Sequence, residues 1–398
     1  MKLLGCICLV AGTAIGAGMI ALPISLAKFG LVLGSLLMLG TWAISYFSAL
    51  LNLELNLRAG KGLPLGALSL HFSSYRAYFA GSTSLLLLCF SLLCAYLYGG
   101  ASTLVSLDEF PLSFNHTAII FATCLGLIML CSIKKIDKIN RFLFLGLILV
   151  VGFMLIGILW HLDYSHIPAS PGLNLSLKDV NIVLPIVFTS FGFQVIFHTL
   201  TNYANNDSVM LKKAFFWGSL IPAIVYIAWT FCVCGLIYYH DSALFEKMTC
   251  SGIEVGEMIK ALSHITQSPF MHYLVWVISF LVILTSAFGV LLGLIDTLKT
   301  KHPILNHHWV AVITAIIPAL CVCLVVPNAF IKVLSFAGMI LSFMALLLPM
   351  YLLYCSNRAD NNSKYWYPVL KNPFLQLVIA GYGLWVIGSE LQNIFSRI

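Results

Sequence analysis

The chain has 398 residues, of which 61% are hydrophobic and only 9% are charged. A soluble domain carries about 25% charged residues, so this composition excludes a soluble protein and predicts an all-α integral membrane protein. The net charge of +7 comes from basic residues spread over short loops, which gives no reason to expect a nucleic-acid partner. The expected partners are the lipid bilayer and a small-molecule substrate.

Apolar runs long enough to cross a bilayer, at about 20 residues each, follow one another along the whole chain. We count eleven, at 4–27, 31–57, 79–104, 116–133, 142–161, 180–203, 214–239, 270–296, 308–326, 329–354 and 373–394. Most Lys and Arg residues fall in cytoplasmic loops if the N-terminus is cytoplasmic. That orientation places the C-terminus outside.

The first run contains the sequence VAGTAIGAGMIAL, in which Gly12, Thr13, Gly16 and Gly18 lie within seven residues. Glycine weakens a helix, and irregular backbone at membrane depth survives only where it is buried in protein or lines a cavity. An opened helix offers N–H groups to an anion and carbonyls to a cation, which suits an amino acid. The alternative is a continuous helix that packs tightly through its small residues.

Two long connections, after runs 2 and 7, divide runs 1 to 10 into two blocks of five. Because five is odd, the second block enters the membrane inverted, and run 6 should be interrupted where run 1 is. Run 6 does carry a glycine and polar residues at mid-depth, in Thr189–Gln194. The predicted units are therefore 1–161, 162–354 and 355–398, the last being a loop and one extra helix. The second long connection also contains a predicted amphipathic helix, GIEVGEMIKALSHIT.

Three further polar side chains lie inside apolar runs. Tyr96 precedes a glycine pair in run 3 and could bond a substrate carboxylate, or could be a buried tyrosine bonded to backbone. Thr285 and Ser286 are adjacent hydroxyls in run 8. They could help to hold a small cation, or could bond the carbonyl four residues earlier in their own helix.

Two titratable groups are candidates for ion coupling. His198 lies one turn after Gln194 in run 6, where it could carry a proton or be a neutral, hydrogen-bonded side chain. Glu54, at the end of run 2, could titrate or could pair with Arg58 at helical spacing. No enzyme motif or metal-binding cluster is evident, so we expect neither an enzyme nor a metal site.

Four segments together resemble the hydroxy/aromatic amino acid permeases, within the amino acid–polyamine–organocation superfamily. They are VAGTAIGAGMIALP in run 1, LELNLRAG after run 2, AYLYGGAS in run 3 and VFTSFGFQ in run 6. The resemblance implies a leucine-transporter-type fold of eleven transmembrane helices, with a 5+5 inverted repeat and one extra C-terminal helix. It also implies proton-driven uptake of an aromatic amino acid, tyrosine first, across a bacterial inner membrane by alternating access. Tryptophan and phenylalanine are further candidate substrates, and no cofactor is implied.

The resemblance also assigns roles by position. The substrate carboxylate would bind at Thr13, Ile15, Gly16, Ala17 and Gly18. Carbonyls near Ala11 and Ser190 would take the ammonium group, and Tyr96, Phe191 and Phe193 would flank the aromatic ring. Gly192 and Gln194 are further candidate substrate-binding residues at the second break.

The chain departs from the family pattern at Gln194, where relatives often carry histidine. An amide does not titrate, so a proton role moves to His198 or Glu54. Thr285 and Ser286 fall where sodium-coupled relatives place hydroxyl ligands. A sodium-coupled carrier of neutral amino acids is thus one alternative, and a membrane-embedded enzyme or sensor is another.

Overall fold

The computed structural model describes most of the chain, and within that part every regular element is helical. The described residues are 2–107, 111–131, 133–161, 175–250, 253–265, 269–299, 303–326, 328–359 and 365–396.

The first apolar run is two helices rather than one. Helix α1 spans Lys2–Ala14 and α2 spans Gly18–Leu26, with Ile15–Ala17 irregular between them. The predicted interruption is therefore present. A short 3-10 turn at Ala27–Phe29 leads into the next helix through Gly30, whose φ of 65° favours glycine.

The remaining helices of the first half are long and mostly uninterrupted, apart from α4, which has eight residues. They are α3 (Gly30–Arg58), α4 (Leu65–Phe72), α5 (Tyr75–Val105), α6 (Phe114–Met129) and α7 (Ile133–His161). Helix α5 is central, because α4, α6 and several helices of the second half pack against it.

The sixth run is also interrupted, as predicted. Helix α8 spans Leu177–Ser190, an irregular stretch and the 3-10 turn Gln194–Ile196 follow, and α9 spans Phe197–Tyr203. A seven-residue helix is too short to be stable alone. Its end is held by Asn202, whose side chain donates to the Gly62 carbonyl at 3.0 Å and accepts from the Gly62 N–H at 2.8 Å.

In the described part of the second half, eight further helices complete the bundle. They are α10 (Ser208–His240), α11 (Ser242–Cys250), α12 (Val255–Ile265), α13 (Pro269–Lys299), α14 (His308–Val325), α15 (Ala329–Ser342), α16 (Leu348–Ala359) and α17 (Pro373–Phe395). A π-helical turn, Phe343–Leu347, joins α15 to α16. The predicted amphipathic helix is α12, and Met258, Ile259 and Leu262 on its apolar face are buried in the core.

Seven helical segments in the described part of the chain are long and apolar enough to cross a bilayer: Gly18–Arg58, Tyr75–Val105, Ser208–His240, Tyr273–Lys299, His308–Val325, Ala329–Ala359 and Pro373–Phe395. The sequence predicts eleven. Runs 1 and 6 are broken into helices too short to span alone, and α2 continues through a turn into α3. Runs 4 and 5 give shorter apolar helices within the described residues, Phe114–Met129 and Phe142–Ile156. Large apolar side chains such as Phe79, Leu149 and Leu377 point outward, as expected of a surface facing lipid.

Candidate substrate site

The first break is held open by a tyrosine from another helix. The Tyr226 hydroxyl, on α10, donates to the Ala14 carbonyl at 2.5 Å and accepts from the Gly16 N–H at 3.4 Å. Tyr226 is fully buried. In a continuous helix each of these two backbone groups would bond a backbone group four residues away. At the break, the Tyr226 side chain supplies the partner for both.

The second break follows directly after the C-terminal turn of α8. The Gly192 N–H donates to the Thr189 carbonyl at 2.9 Å, which closes that turn. The Thr189 hydroxyl donates to the Pro185 carbonyl at 2.8 Å and to the Leu334 carbonyl of α15 at 3.0 Å. The end of α8 is therefore fixed to α15.

The two breaks are in direct contact. A Cβ placed on Gly18 would lie 2.8 Å from the Ser190 Cα, closer than real side chains approach a backbone. Gly18 begins α2 and Ser190 ends α8. The positive end of one helix dipole consequently lies beside the negative end of another.

Two other helices reach the same point. A Cβ on Gly16 would lie 2.8 Å from the Ser286 Oγ of α13 and 3.7 Å from the Tyr96 Oη of α5. Tyr96 and Ser286 therefore both lie beside the first break. The structure therefore brings together Gly16, Gly18, Tyr96, Ser190 and Ser286, which the sequence placed in four separate runs.

The two phenylalanines of the second break face different sides. Phe191 packs edge-on against Tyr226, with ring centroids 5.5 Å apart, in the same core cluster as Tyr96. Phe193 instead packs with Phe197 and Phe215 in a separate cluster, together with residues of α1. Phe193 is therefore not placed beside Phe191 and Tyr96, although the family resemblance gave all three one role.

Gln194 is buried, with 8% of its surface exposed, and neither its amide nitrogen nor its amide oxygen has a hydrogen-bond partner in the structure. Leaving both ends of a buried amide unpaired is costly. The Gln194 amide is therefore open to hydrogen bonds from a water molecule or a bound ligand.

Hydroxyls predicted to bind substrate or ion are bonded within their own helices. The Thr13 hydroxyl donates to the Leu9 carbonyl at 2.7 Å. Thr285 donates to the Leu281 carbonyl and Ser286 to the Val282 carbonyl, both at 2.8 Å. Of the two alternatives for this pair, the intrahelical bond is present, and it leaves the oxygen lone pairs as acceptors.

Glu54 is fully buried and paired with Arg58 at 2.8 Å, as the second alternative for this residue predicts. It also accepts from the backbone N–H groups of Trp366 at 3.3 Å and Tyr367 at 3.0 Å, and so fixes the loop before α17. Burial raises the pKa of the Tyr367 phenol, and the nearby Glu54 charge adds to this shift. The side chain of His198 lies outside the described part of the structure.

Comparison with known proteins gives one consistent result. The tryptophan/tyrosine permease family model matches residues 1–388. The chain belongs to the tryptophan/tyrosine permease family.

Two curated relatives from Haemophilus influenzae are each 31% identical to this permease. They are tyrosine-specific transport system 2, aligned over 96% of this chain and 91% of the relative, and tyrosine-specific transport system 1, over 92% and 90%. The protein is therefore a multi-pass membrane permease and not an enzyme. The membrane-embedded enzyme is thereby ruled out.

The fold of the permease is also similar to that of a solved transporter. The crystal structure of the Eremococcus coleocola manganese transporter, in complex with an aromatic bis-isothiourea compound, matches 99% of this chain and 87% of that one. The TM-score is 0.62 and the sequence identity 16%, so the match concerns the fold alone.

A salt bridge ties the two halves of the permease site together outside the apolar runs. The Lys28 Nζ, in the turn after α2, lies 2.6 Å from the Asp179 Oδ1 in the first turn of α8. The Lys28 hydrogen bond holds the pKa of the Asp179 carboxyl below its usual range. Helices α2 and α8 are thus joined at Lys28–Asp179 as well as at Gly18–Ser190.

One described cavity of the permease lies elsewhere. It opens between α2, α3 and α10, and its lining includes Leu26, Gly30, Met38 and Phe231. No predicted site residue lines it. The candidate site is therefore defined by the contact between the breaks and by Gln194, not by this cavity.

Sequence reasoning missed Tyr226. Its only local signal is a hydroxyl in an apolar run, which is ordinary, and its partner is 210 residues away. Sequence reasoning also missed Glu390, the one acidic residue in α17, which is fully buried.

Proposed function

We propose that this permease imports an aromatic amino acid, tyrosine first, by proton symport across a bacterial inner membrane. One observation carries the proposal: the two helix breaks meet at Gly18 and Ser190, near the buried Tyr96, and the second break also carries the unpartnered Gln194 amide. The tyrosine-specific systems named among the relatives support the choice of substrate.

The meeting of α2 and α8 suits both charges of a zwitterion. The start of α2 presents the Ala17 and Gly18 N–H groups at the positive end of a dipole, which favours the substrate carboxylate there, beside the Gly16 N–H that bonds Tyr226. The last turn of α8 presents carbonyls at the negative end, which favours the ammonium group near Ser190. A single amino acid would then bind both half-helices at once.

The substrate ring would lie against Phe191 and Tyr96. Gln194 would supply hydrogen bonds to a phenol hydroxyl, because an amide can both donate and accept. A site built to bond a hydroxyl discriminates strongly against the analogue that lacks it, since its own polar group is then left unpaired. This arrangement favours tyrosine over phenylalanine.

For the architecture, we assign eleven membrane-spanning units, each broken helix counting as one unit. Residues 1–161 and 162–354 would form the two halves of an inverted repeat, and 355–398 the extra unit. The matching positions of the two breaks support this assignment. The N-terminus would be cytoplasmic and the C-terminus outside, as the Lys and Arg distribution favours.

Alternating access would follow from separation of α2 and α8 around the bound substrate. Sodium coupling is the second candidate, because the Ser286 oxygen lies at the first break and keeps its acceptor lone pairs.

Uptake of labelled tyrosine into proteoliposomes tests the function. We expect accumulation under an inward proton gradient without sodium, competed by tryptophan and not by leucine. Accumulation that requires sodium would show that sodium, and not the proton, is the coupling ion. Failure of every aromatic amino acid to enter or compete, in correctly inserted protein, would refute the substrate assignment.

A further inference from the structure

A second buried carboxylate lies far from Glu54. Glu390, one turn before the end of α17, has no exposed surface. It is 17 residues, or about 25 Å, along the helix from Pro373. A carboxylate removed from water is maintained as an anion only where polar partners compensate, and protonation removes that need. A carboxylate buried among membrane helices is therefore a candidate for reversible proton binding.

Glu390 accepts hydrogen bonds from α15 and from α17 itself. The Ser335 hydroxyl, on α15, donates to the Glu390 Oε2, and the Asn393 amide donates to the same oxygen at 3.3 Å. The Asn393 amide also donates to the Asn181 carbonyl of α8 at 3.1 Å. Glu390 thus lies where α8, α15 and α17 meet.

Among the described residues, the nearby charged groups come from α15 and from the first turn of α8. Lys332 lies one turn before Ser335 on the same side of α15, and Lys178 and Asp179 occupy the first turn of α8, where Asp179 pairs with Lys28. Helix α17 carries no other charged residue. The charged residues of α3 near α17 are Glu54 and Arg58, which lie beside the loop before α17, at its opposite end.

A short chain of contacts leads from Glu390 to the second break. Ser335 bonds Glu390, and the next residue back, Leu334, accepts the Thr189 hydroxyl at 3.0 Å. Thr189 is followed by Ser190, which contacts Gly18 across the two breaks.

The packing along this chain is tight. A Cβ on Gly338 of α15 would lie 2.6 Å from the Thr189 Oγ1 and 2.7 Å from the Pro185 carbonyl carbon. Because the two backbones are in contact here, α15 cannot shift at Ser335 without moving α8.

We propose that Glu390 is the proton-binding site of the transport cycle. Binding a proton neutralises the carboxylate, weakens its hold on Ser335 and so changes the position of α15 and the end of α8. In the assigned orientation Glu390 lies one turn from the outer surface, where an incoming proton reaches it without crossing the bilayer. This inference rests on the proposed function of proton-coupled import.

The test separates substrate exchange from proton-driven accumulation, both measured with labelled tyrosine in proteoliposomes. Exchange against internal unlabelled tyrosine needs the substrate site but no net proton movement. Wild-type exchange therefore tests the proposed function alone, and its absence refutes that function. With exchange established, Glu390→Gln should keep exchange, lose accumulation above equilibrium and lose the dependence of uptake on external pH.

Two variants complete the design. Glu390→Asp keeps a titrating group and should restore both accumulation and the pH dependence, which a merely structural defect would not allow. Glu54→Gln alters another buried carboxylate, one that the structure pairs with Arg58 and the loop before α17, so it should lower stability while leaving proton-driven accumulation intact. Accumulation by Glu390→Gln with the wild-type pH profile overturns the proposal, as does loss of coupling in Glu54→Gln alone.

Discussion

The contact between Gly18 and Ser190 makes one methyl group a sensitive probe of the site. In Gly18→Ala the new Cβ would lie 2.8 Å from the Ser190 Cα, a backbone atom that cannot rotate away. Carbon atoms prefer separations of about 3.5–4.0 Å, so α2 and α8 must separate by about 1 Å. Overpacking of this kind costs about 1–3 kcal/mol.

If substrate binding requires α2 and α8 to be in contact, the overpacking raises the free energy of the substrate-bound state. At 1.4 kcal/mol for each tenfold change, the tyrosine Kd should rise about 5- to 140-fold. The assay is equilibrium binding of labelled tyrosine to purified protein in detergent, with Tm measured in parallel.

The matched control is Gly40→Ala, since a Cβ on Gly40 of α3 meets no atom within 4 Å. Gly40→Ala should bind tyrosine as the wild type does. A Gly18→Ala variant with wild-type Kd and Tm would refute the inference that these two half-helices form the site.

Three other predictions use the same preparations. Tyr226→Phe removes the hydroxyl that bridges the first break and leaves its buried backbone groups unpaired, which costs about 1–3 kcal/mol. The Tm should therefore fall and the tyrosine Kd should rise. An unchanged Tm and an unchanged Kd would show that the bridge is dispensable. Gln194→Leu should weaken tyrosine binding but not phenylalanine binding, measured by competition, and an equal effect on both would refute hydroxyl recognition. The folded-state pKa of Asp179 is lowered by Lys28, so the stability from this pair is present above the ordinary carboxyl pKa and is lost as pH falls through the lowered value. The Tm difference between wild type and Asp179→Asn should therefore shrink on acidification below about pH 4, whereas a constant difference would contradict the linkage.

Helix breaks were predictable because their cause is local. Gly16 and Gly18 lie in one apolar run and Gly192 in another, and each glycine-containing stretch is irregular or ends a helix in the structure. The same local reasoning identified the Glu54–Arg58 pair, because both residues belong to one helix four positions apart.

Contacts between distant runs were not predictable in this way. Tyr226 reaches the first break only because α10 packs against α1 and α2, and no local pattern encodes that packing. Glu390 is near the end of an apolar run, where a carboxylate usually meets water, and its burial depends on the docking of α8 and α15. Phe191 and Phe193 diverge because the backbone between them is irregular, so helical spacing gives no guide to their directions.

The hydrogen bonds between Asn202, at the end of α9, and Gly62 have a mechanical consequence. The Asn202 side chain bonds both the N–H and the carbonyl of Gly62. The Asn56 side chain accepts from the neighbouring Leu63 N–H at 2.6 Å, which connects this loop to α3. If the proposed alternating access uses Gly192 as a pivot, α9 and the tip of α3 would move together as one lever arm. A longer arm turns a small rotation at the pivot into a larger displacement at the membrane surface, so the loop after α3 is the place to attach a distance probe for opening.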